Sequence, residues 1–300
     1  MRDGEHRVVV DGVELWYRVA GRATDGVPPV VFLHGGPGQG SAHFDALAGP
    51  RLEPTLRMVY FDQRGSGHSE RPASNEYTIE RLVDDIEGLR KHLGATRIAL
   101  VAHSFGGVLA LEYAAKHPER TAAVVFASGL WDAPGQCALR LQRVARYRPA
   151  LYARVQGDTL NADGSRRSDC AVELAAFPTR EERAAWDTEA MYPDPAVEAR
   201  IDSVNAAHGI RNTGEIGRAL FSSGLLRYRF AAFDRLTMPV LVIAGGRDRA
   251  VAAEGLRALA ERLPDGRFVE YERSGHFVYL DEPERFARDV TALVTAAARR

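Results

Sequence analysis

Apolar residues along this chain recur with two different periods. Residues 7–20 alternate on either side of Asp11-Gly12, a pair suited to the positive φ of a two-residue turn, so a β-hairpin is predicted there. Short aliphatic runs follow at Val30–Leu33, Met58–Phe61, Ile98–Ala102, Ala123–Ala127, Val240–Ala244 and Phe268–Tyr271. Such unbroken runs are the mark of strands buried on both faces. Between several of them the period lengthens. Tyr77–Leu93 places Ile79, Leu82, Val83, Ile86, Leu89 and Leu93 on one helical face. Phe105–His117 and Ala252–Leu263 also read as helices, and Pro283–Ala298 carries Phe286, Val290 and Leu293 on one stripe. Strands alternating with helices predict an α/β fold, a mostly parallel central sheet with helices on both faces. The alternation breaks between Trp131 and Arg235, a stretch with helical segments, turn residues and no strong strand. It is too long for a loop. The expected division is a core domain at 1–130 and 236–300, with a helical cap inserted at 131–235 over the C-terminal edge of the sheet.

Composition narrows this picture. Three hundred residues suffice for one large core with an insertion, and a net charge of −1 gives no reason to expect nucleic acid or an anionic membrane as partner. The longest nearly apolar stretch, Ala122–Trp131, is far short of a membrane span. The opening MRDGEHRVVV lacks the apolar core of a secretory leader. Two cysteines, Cys137 and Cys170, suggest neither a disulfide framework nor a metal site. The expectation is a soluble cytoplasmic protein acting on a small molecule or short peptide. No cofactor or metal is implied, and the oligomeric state is open.

The clearest chemical signal is Ile98-Ala-Leu-Val-Ala-His-Ser-Phe-Gly-Gly-Val, a strand running directly into a helix with Ser104 at the join. This is the context of a nucleophile elbow, in which a sharp turn lifts the serine Oγ above the sheet. The turn needs small residues two places before and after the serine, here Ala102 and Gly106; glycine is commoner at the first. A helix N-cap is the competing role for Ser104. A serine nucleophile needs a general base, and the base an orienting acid. Asp248 follows the Val240–Ala244 strand and a Gly-Gly pair, and His276 follows the Phe268–Tyr271 strand just before the last helix. Their order, serine then acid then histidine, is that of the α/β-hydrolase fold. A turn acid and a loop histidine are the plainer alternatives. Of the other histidines, His34 lies in a glycine-rich turn and His103 precedes the serine, while His68 and His208 could approach a substrate without following a late strand.

An acyl-transfer site also needs donors for the oxyanion. Phe105 N–H, just after the nucleophile, is one. The loop after Val31-Phe-Leu supplies the other: Gly36 is the expected donor, with Gly35 beside the substrate. A plain glycine turn is the alternative. Three stretches then resemble the proline iminopeptidase branch of the α/β-hydrolases: His34-Gly-Gly-Pro-Gly38, Asp62-Gln-Arg-Gly-Ser-Gly67, and the elbow continuing through Leu109-Ala-Leu-Glu-Tyr-Ala to His117-Pro-Glu. The likeness covers roughly 30–130 and 236–300. It implies cleavage of an N-terminal prolyl or other aminoacyl residue from a peptide or small amide, with acidic residues near the cap holding the free amine. Glu215 lies about where one such anchor falls, and an exposed acid is its plainer role.

Two features favour the alternative of a carboxylesterase or lactonase acting on a metabolite. Arg249 stands where some relatives carry an anchoring glutamate, and a cation cannot hold an ammonium. The segment from Ala133 to Gly157 has five arginines and no acid, either a solvated helix face or a surface suited to anionic or carbonyl-rich substrates. Aromatic residues of the cap, Trp131 among them, either line the substrate pocket or hold the cap together. A non-catalytic binding module on the same scaffold is the third possibility.

Overall fold

The protein is described by a computed structural model covering residues 1–73, 76–157, 160–161, 163 and 165–299. Eight strands form one sheet: β1 (Gly4–Val10), β2 (Val13–Gly21), β3 (Val30–Leu33), β4 (Arg57–Phe61), β5 (Ile98–His103), β6 (Thr121–Ala127), β7 (Val240–Gly245) and β8 (Gly266–Tyr271). Their order is β1-β2-β4-β3-β5-β6-β7-β8. The hairpin β1–β2 and the β2–β4 pair are antiparallel, and all other pairs are parallel. Each parallel strand leaves its C-terminal end on one edge, where the loops that follow converge.

Helices fill both faces. After β3 come α1 (Ala42–Leu47) and α2 (Gly49–Leu52); α3 (Ile79–His92) follows β4 and α4 (Gly106–Lys116) follows β5. Between β6 and β7 lie α5 (Ala133–Tyr147), α6 (Pro149–Ala153), α7 (Asp169–Ala175), α8 (Arg180–Met191), α9 (Pro195–Ala207) and α10 (Glu215–Ser222). The chain closes with α11 (Ala253–Arg262) after β7, then α12 (Val278–Asp281) and α13 (Pro283–Ala297) after β8.

The unbroken apolar strands are explained by two cores. Alternate residues of each strand, such as Val31, Leu33, Val59 and Leu100, pack with α3, α4 and α11. The intervening ones, such as Val30, Phe32, Met58 and Val101, pack with α1, α2 and α13. The helices between β6 and β7 add a small core of their own around Val144, Phe177, Trp186 and Ala190. Among the described residues no helix is long and apolar enough to cross a membrane.

One expectation is corrected. The sequence suggests no disulfide, yet Cys137 and Cys170 are bonded to each other across 33 residues. They sit on α5 and α7, whose packing brings their Cα atoms to 4.8 Å. Nothing local in the sequence encodes that approach.

Candidate active site

Ser104 occupies the junction of β5 and α4 with φ +53°, one of three non-glycine residues described with positive φ. Such a conformation is costly for a side-chain-bearing residue and is held only by its surroundings. Here Ser104 N–H donates to Ala127 O (3.2 Å), and Ser104 O accepts from Gly107 N–H (2.9 Å) and Leu130 N–H (3.0 Å). The end of β6 therefore clamps the turn. Gly106 is required by contact: a Cβ there would lie 2.2 Å from Leu33 O. Ala102 is fully buried, so a methyl group is accommodated where glycine is commoner.

Asp248 and His276 meet at 2.8 Å, His276 Nδ1 to Asp248 Oδ2. Both are almost completely buried. With Nδ1–H donating to the carboxylate, Nε2 is left as the basic nitrogen. The other carboxylate oxygen accepts from Ala250 N–H (2.8 Å) and Val251 N–H (2.9 Å), which fixes the acid in one orientation. The acid and base loops touch so closely that a Cβ on Gly245 would lie 2.0 Å from Gly275 O.

The histidine is also held from two other sides. Its backbone N–H donates to Met191 O at the end of α8 (3.0 Å), and its carbonyl accepts from His103 Nε2 (3.0 Å). His103, to which the sequence assigns no role, thus braces the candidate base through its backbone. Burial holds the His103 imidazole well below its ordinary pKa, so it is neutral.

Gly36 and Phe105 line the same cavity as Ser104 and His276. Among the described residues neither backbone N–H has a hydrogen-bond partner, so both can serve an incoming oxyanion. The loop that carries Gly36 is anchored to the loop after β4. Gln63 N–H donates to His34 Nε2 (3.2 Å) and Gln63 Nε2 to His34 O (3.0 Å). Asp62 accepts from Ser41 N–H (2.7 Å), Ser41 Oγ (2.7 Å) and His68 N–H (2.8 Å). Burial pushes the Asp62 carboxyl up, but the His68 and His34 side chains beside it, with these donors, outweigh that and hold it below its usual pKa. The two glycine-bearing motifs of the sequence are therefore one structural unit.

The cavity has a volume of 570 Å³, within the ordinary range for small-molecule sites. Its walls are mostly apolar: Leu130, Met191, Leu225, Leu226, Val251 and the Cys137–Cys170 disulfide. Leu174 and Phe221, about half exposed, stand at its rim.

Several residues named from sequence fall elsewhere. Glu215 does not line this cavity; its carboxylate accepts from Tyr77 Oη (3.1 Å) and lies 3.6 Å from Arg71 Nε. Trp131 also stands outside the lining, donating its indole N–H to Gly255 O (2.9 Å). Gly35 is not part of the wall but backs Ser104, since a Cβ there would lie 2.8 Å from Ser104 Cβ. Arg249 turns away toward Glu189 (2.8 Å) and the face of Tyr147. His68 and His208 lie next to each other, away from the cavity.

Sequence reasoning missed the polar part of the wall. Arg140, Glu173, Arg183 and Asp187, from α5, α7 and α8, line the cavity and bond to one another. Only Arg140 carried a signal, as part of the acid-free run; its partners lie more than thirty residues away. Among the described residues no group of His, Cys, Asp or Glu could hold a metal ion.

Comparison with known proteins agrees with this architecture. The alpha/beta hydrolase fold family model matches residues 28–283. Proline iminopeptidase PfmaB of Pestalotiopsis fici is 25% identical over 289 residues, 94% of this chain and 96% of that protein. A proline iminopeptidase-related protein of Thermus thermophilus superposes with a TM-score of 0.79 at 27% identity, covering 99% of both chains. Est816, described as an N-acyl homoserine lactone degrading enzyme, shares the fold with a TM-score of 0.67 at 21% identity, covering 96% of this chain and 99% of its own. The chain belongs to the α/β-hydrolase fold family and is proline iminopeptidase-like.

Proposed function

We propose that this protein is a serine hydrolase that cleaves small carboxylic esters or lactones with a largely uncharged acyl group. One observation carries the reading: Ser104, held at positive φ on a strand–helix turn, shares one mainly apolar cavity with a His276 already bonded to Asp248. Ser104 Oγ attacks the substrate carbonyl while His276 Nε2 takes its proton. Asp248 keeps Nδ1–H bonded and balances the imidazolium. Gly36 and Phe105 N–H groups hold the oxyanion. His276 then protonates the leaving oxygen. Water, deprotonated by the same imidazole, releases the acid and restores Ser104.

The ester reading is favoured over the aminoacyl amide by the charges of the cavity. Glu215, the expected amine anchor, is engaged with Tyr77 and Arg71 outside it. The two acids that do line it, Glu173 and Asp187, are each bonded to two arginines. Among the described residues that line the cavity, a free ammonium would find no uncompensated carboxylate. The aminoacyl amide remains the second reading because PfmaB, similar over nearly the whole chain, is named a proline iminopeptidase.

A panel of short 4-nitrophenyl esters against prolyl and alanyl arylamides separates the two. Turnover of esters, with none of any free-amine arylamide, is the expected outcome; preferential cleavage of prolyl arylamide would reverse the order. Ser104→Ala is expected to remove turnover and fluorophosphonate labelling while circular dichroism stays unchanged. Labelling that survives the substitution would refute the assignment of the nucleophile.

A further inference from the structure

The polar end of the cavity can be read atom by atom. Arg140 Nε donates to Glu173 Oε1 (3.2 Å) and Arg140 Nη2 to Asp187 Oδ1 (2.5 Å). Arg183 Nη1 donates to Glu173 Oε2 (2.9 Å) and Arg183 Nε to Asp187 Oδ2 (2.9 Å). The result is a closed, neutral ring of two guanidinium and two carboxylate groups. All four carboxylate oxygens are taken. Glu173 is 2% exposed and Arg140 14%, while Arg183 and Asp187 are 24% and 33% exposed, so the ring is buried at its α5–α7 side and partly open to water on α8.

What the ring has left to offer is donors. Among the described residues Arg140 Nη1 and Arg183 Nη2 have no hydrogen-bond partner. Guanidinium N–H groups can only donate, so their match is an acceptor oxygen. A full negative charge on the ligand would face the two carboxylates, and an ammonium the two arginines. A neutral carbonyl or hydroxyl oxygen meets neither repulsion.

The helix geometry sets the distance of the ring from the His276 backbone, the part of the site that α8 touches. Arg183, Asp187 and Met191 lie along α8 and all line the cavity, and Met191 O holds the His276 backbone. At about 1.5 Å rise per residue, the ring begins roughly 6 Å and ends roughly 12 Å along the helix from that contact. An extended chain advances about 1.2 Å per bond, so the span corresponds to roughly five to ten bonds.

We infer that Arg140 and Arg183 select acyl groups carrying an uncharged oxygen acceptor, a ketone or hydroxyl, several bonds beyond the scissile carbonyl, across an apolar stretch. This specificity rests on the hydrolase reading proposed above and assigns the substrate class of that site. Arg140, Arg183, Glu173 and Asp187 are then specificity residues with no part in the bond-breaking steps.

The test uses the full-length protein and two matched series of 4-nitrophenyl esters, with unbranched acyl chains of four to ten carbons. One series is plain and the other carries a ketone near the far end. The expected result is a ketone preference of about tenfold in kcat/KM, confined to a window of chain lengths. In Arg183→Lys, which keeps the charge that the carboxylates need but loses the fork of donors, the ketone-to-plain ratio should fall toward one. Equal kcat/KM for both series at every length would overturn the inference while leaving the hydrolase reading intact. A preference for esters ending in an ammonium or a carboxylate would overturn it as well. Absence of turnover on both series, with no fluorophosphonate labelling of Ser104, would remove the hydrolase reading and this inference with it.

Discussion

At the scale of single residues, the site depends as much on missing side chains as on reactive ones. Gly35 shows this most directly. A methyl group there would stand 2.8 Å from Ser104 Cβ, closer than real Cβ contacts allow, and 3.2 Å from His103 Nδ1, tighter than most. Both neighbours are pinned, one in a strained turn and the other by its bond to His276 O. Gly35→Ala should therefore displace Ser104 or the His103 brace behind His276. A loss of kcat of about tenfold or more is expected, because sub-ångström misplacement of a reacting group is expensive. Thermal unfolding should change far less than turnover. Unchanged ester hydrolysis in Gly35→Ala would show that the elbow can relax away from this loop.

At the scale of elements, the inserted helices are more than a cover. The C-terminal end of α8 receives two backbone N–H bonds from the sheet loops, Arg249 to Ala190 O (2.8 Å) and His276 to Met191 O (3.0 Å). The loops of the acid and the base are thus both tied to the insertion. The Cys137–Cys170 bond fastens α5 to α7 along the cavity wall, and one turn further each helix contributes to the charged ring through Arg140 and Glu173. Closing a loop of this length in the unfolded chain is worth about 4 kcal/mol. Cys170→Ser, or reduction of the wild type, should lower denaturant stability by about that amount and raise amide exchange first in α5 and α7. Identical unfolding curves with and without reductant would show that the bond does not constrain the insertion.

These contacts also mark the limit of what the sequence disclosed. Strands β3 to β7 were legible because two-sided burial writes an unbroken aliphatic run. Ser104, Asp248 and His276 could be singled out because Ser104 follows directly on β5, while Asp248 and His276 lie on the loops after β7 and β8. Glu215 was placed by its distance from later landmarks, and its Tyr77 partner could not be seen that way. The Cys137–Cys170 bond and the partners of Arg140 depend on how α5, α7 and α8 pack. That is a tertiary outcome with no local period, so an acid-free arginine run looked unpaired when its acids lay on other helices.

At the scale of the whole molecule, three fully buried imidazoles make stability depend on pH. Burial pushes His34, His43 and His103 below the ordinary value of 6.5, His43 to about 3. A histidine with a lowered folded-state pKa leaves the unfolded chain binding more protons as pH drops below about 6.5. Its contribution is complete above that value and is lost progressively as pH falls toward the folded one. His68 has the opposite sign, because its bond to Asp62 raises its pKa; its contribution is complete below the ordinary value and fades as pH rises through the raised one. Together they set a stability maximum near neutrality. His43 can be isolated because the one side-chain hydrogen bond it makes among the described residues, to Tyr279 Oη at 3.0 Å, can be kept by glutamine. Between about pH 4 and 5.5 the wild type should lose about 1.4 kcal/mol per pH unit more than His43→Gln, the slope of one proton, and about half that at pH 6.5. Denaturant midpoints across that range measure the difference directly. Parallel slopes would mean that His43 takes up its proton inside the fold, and that the buried cluster behind His103 is more open to water than its packing implies.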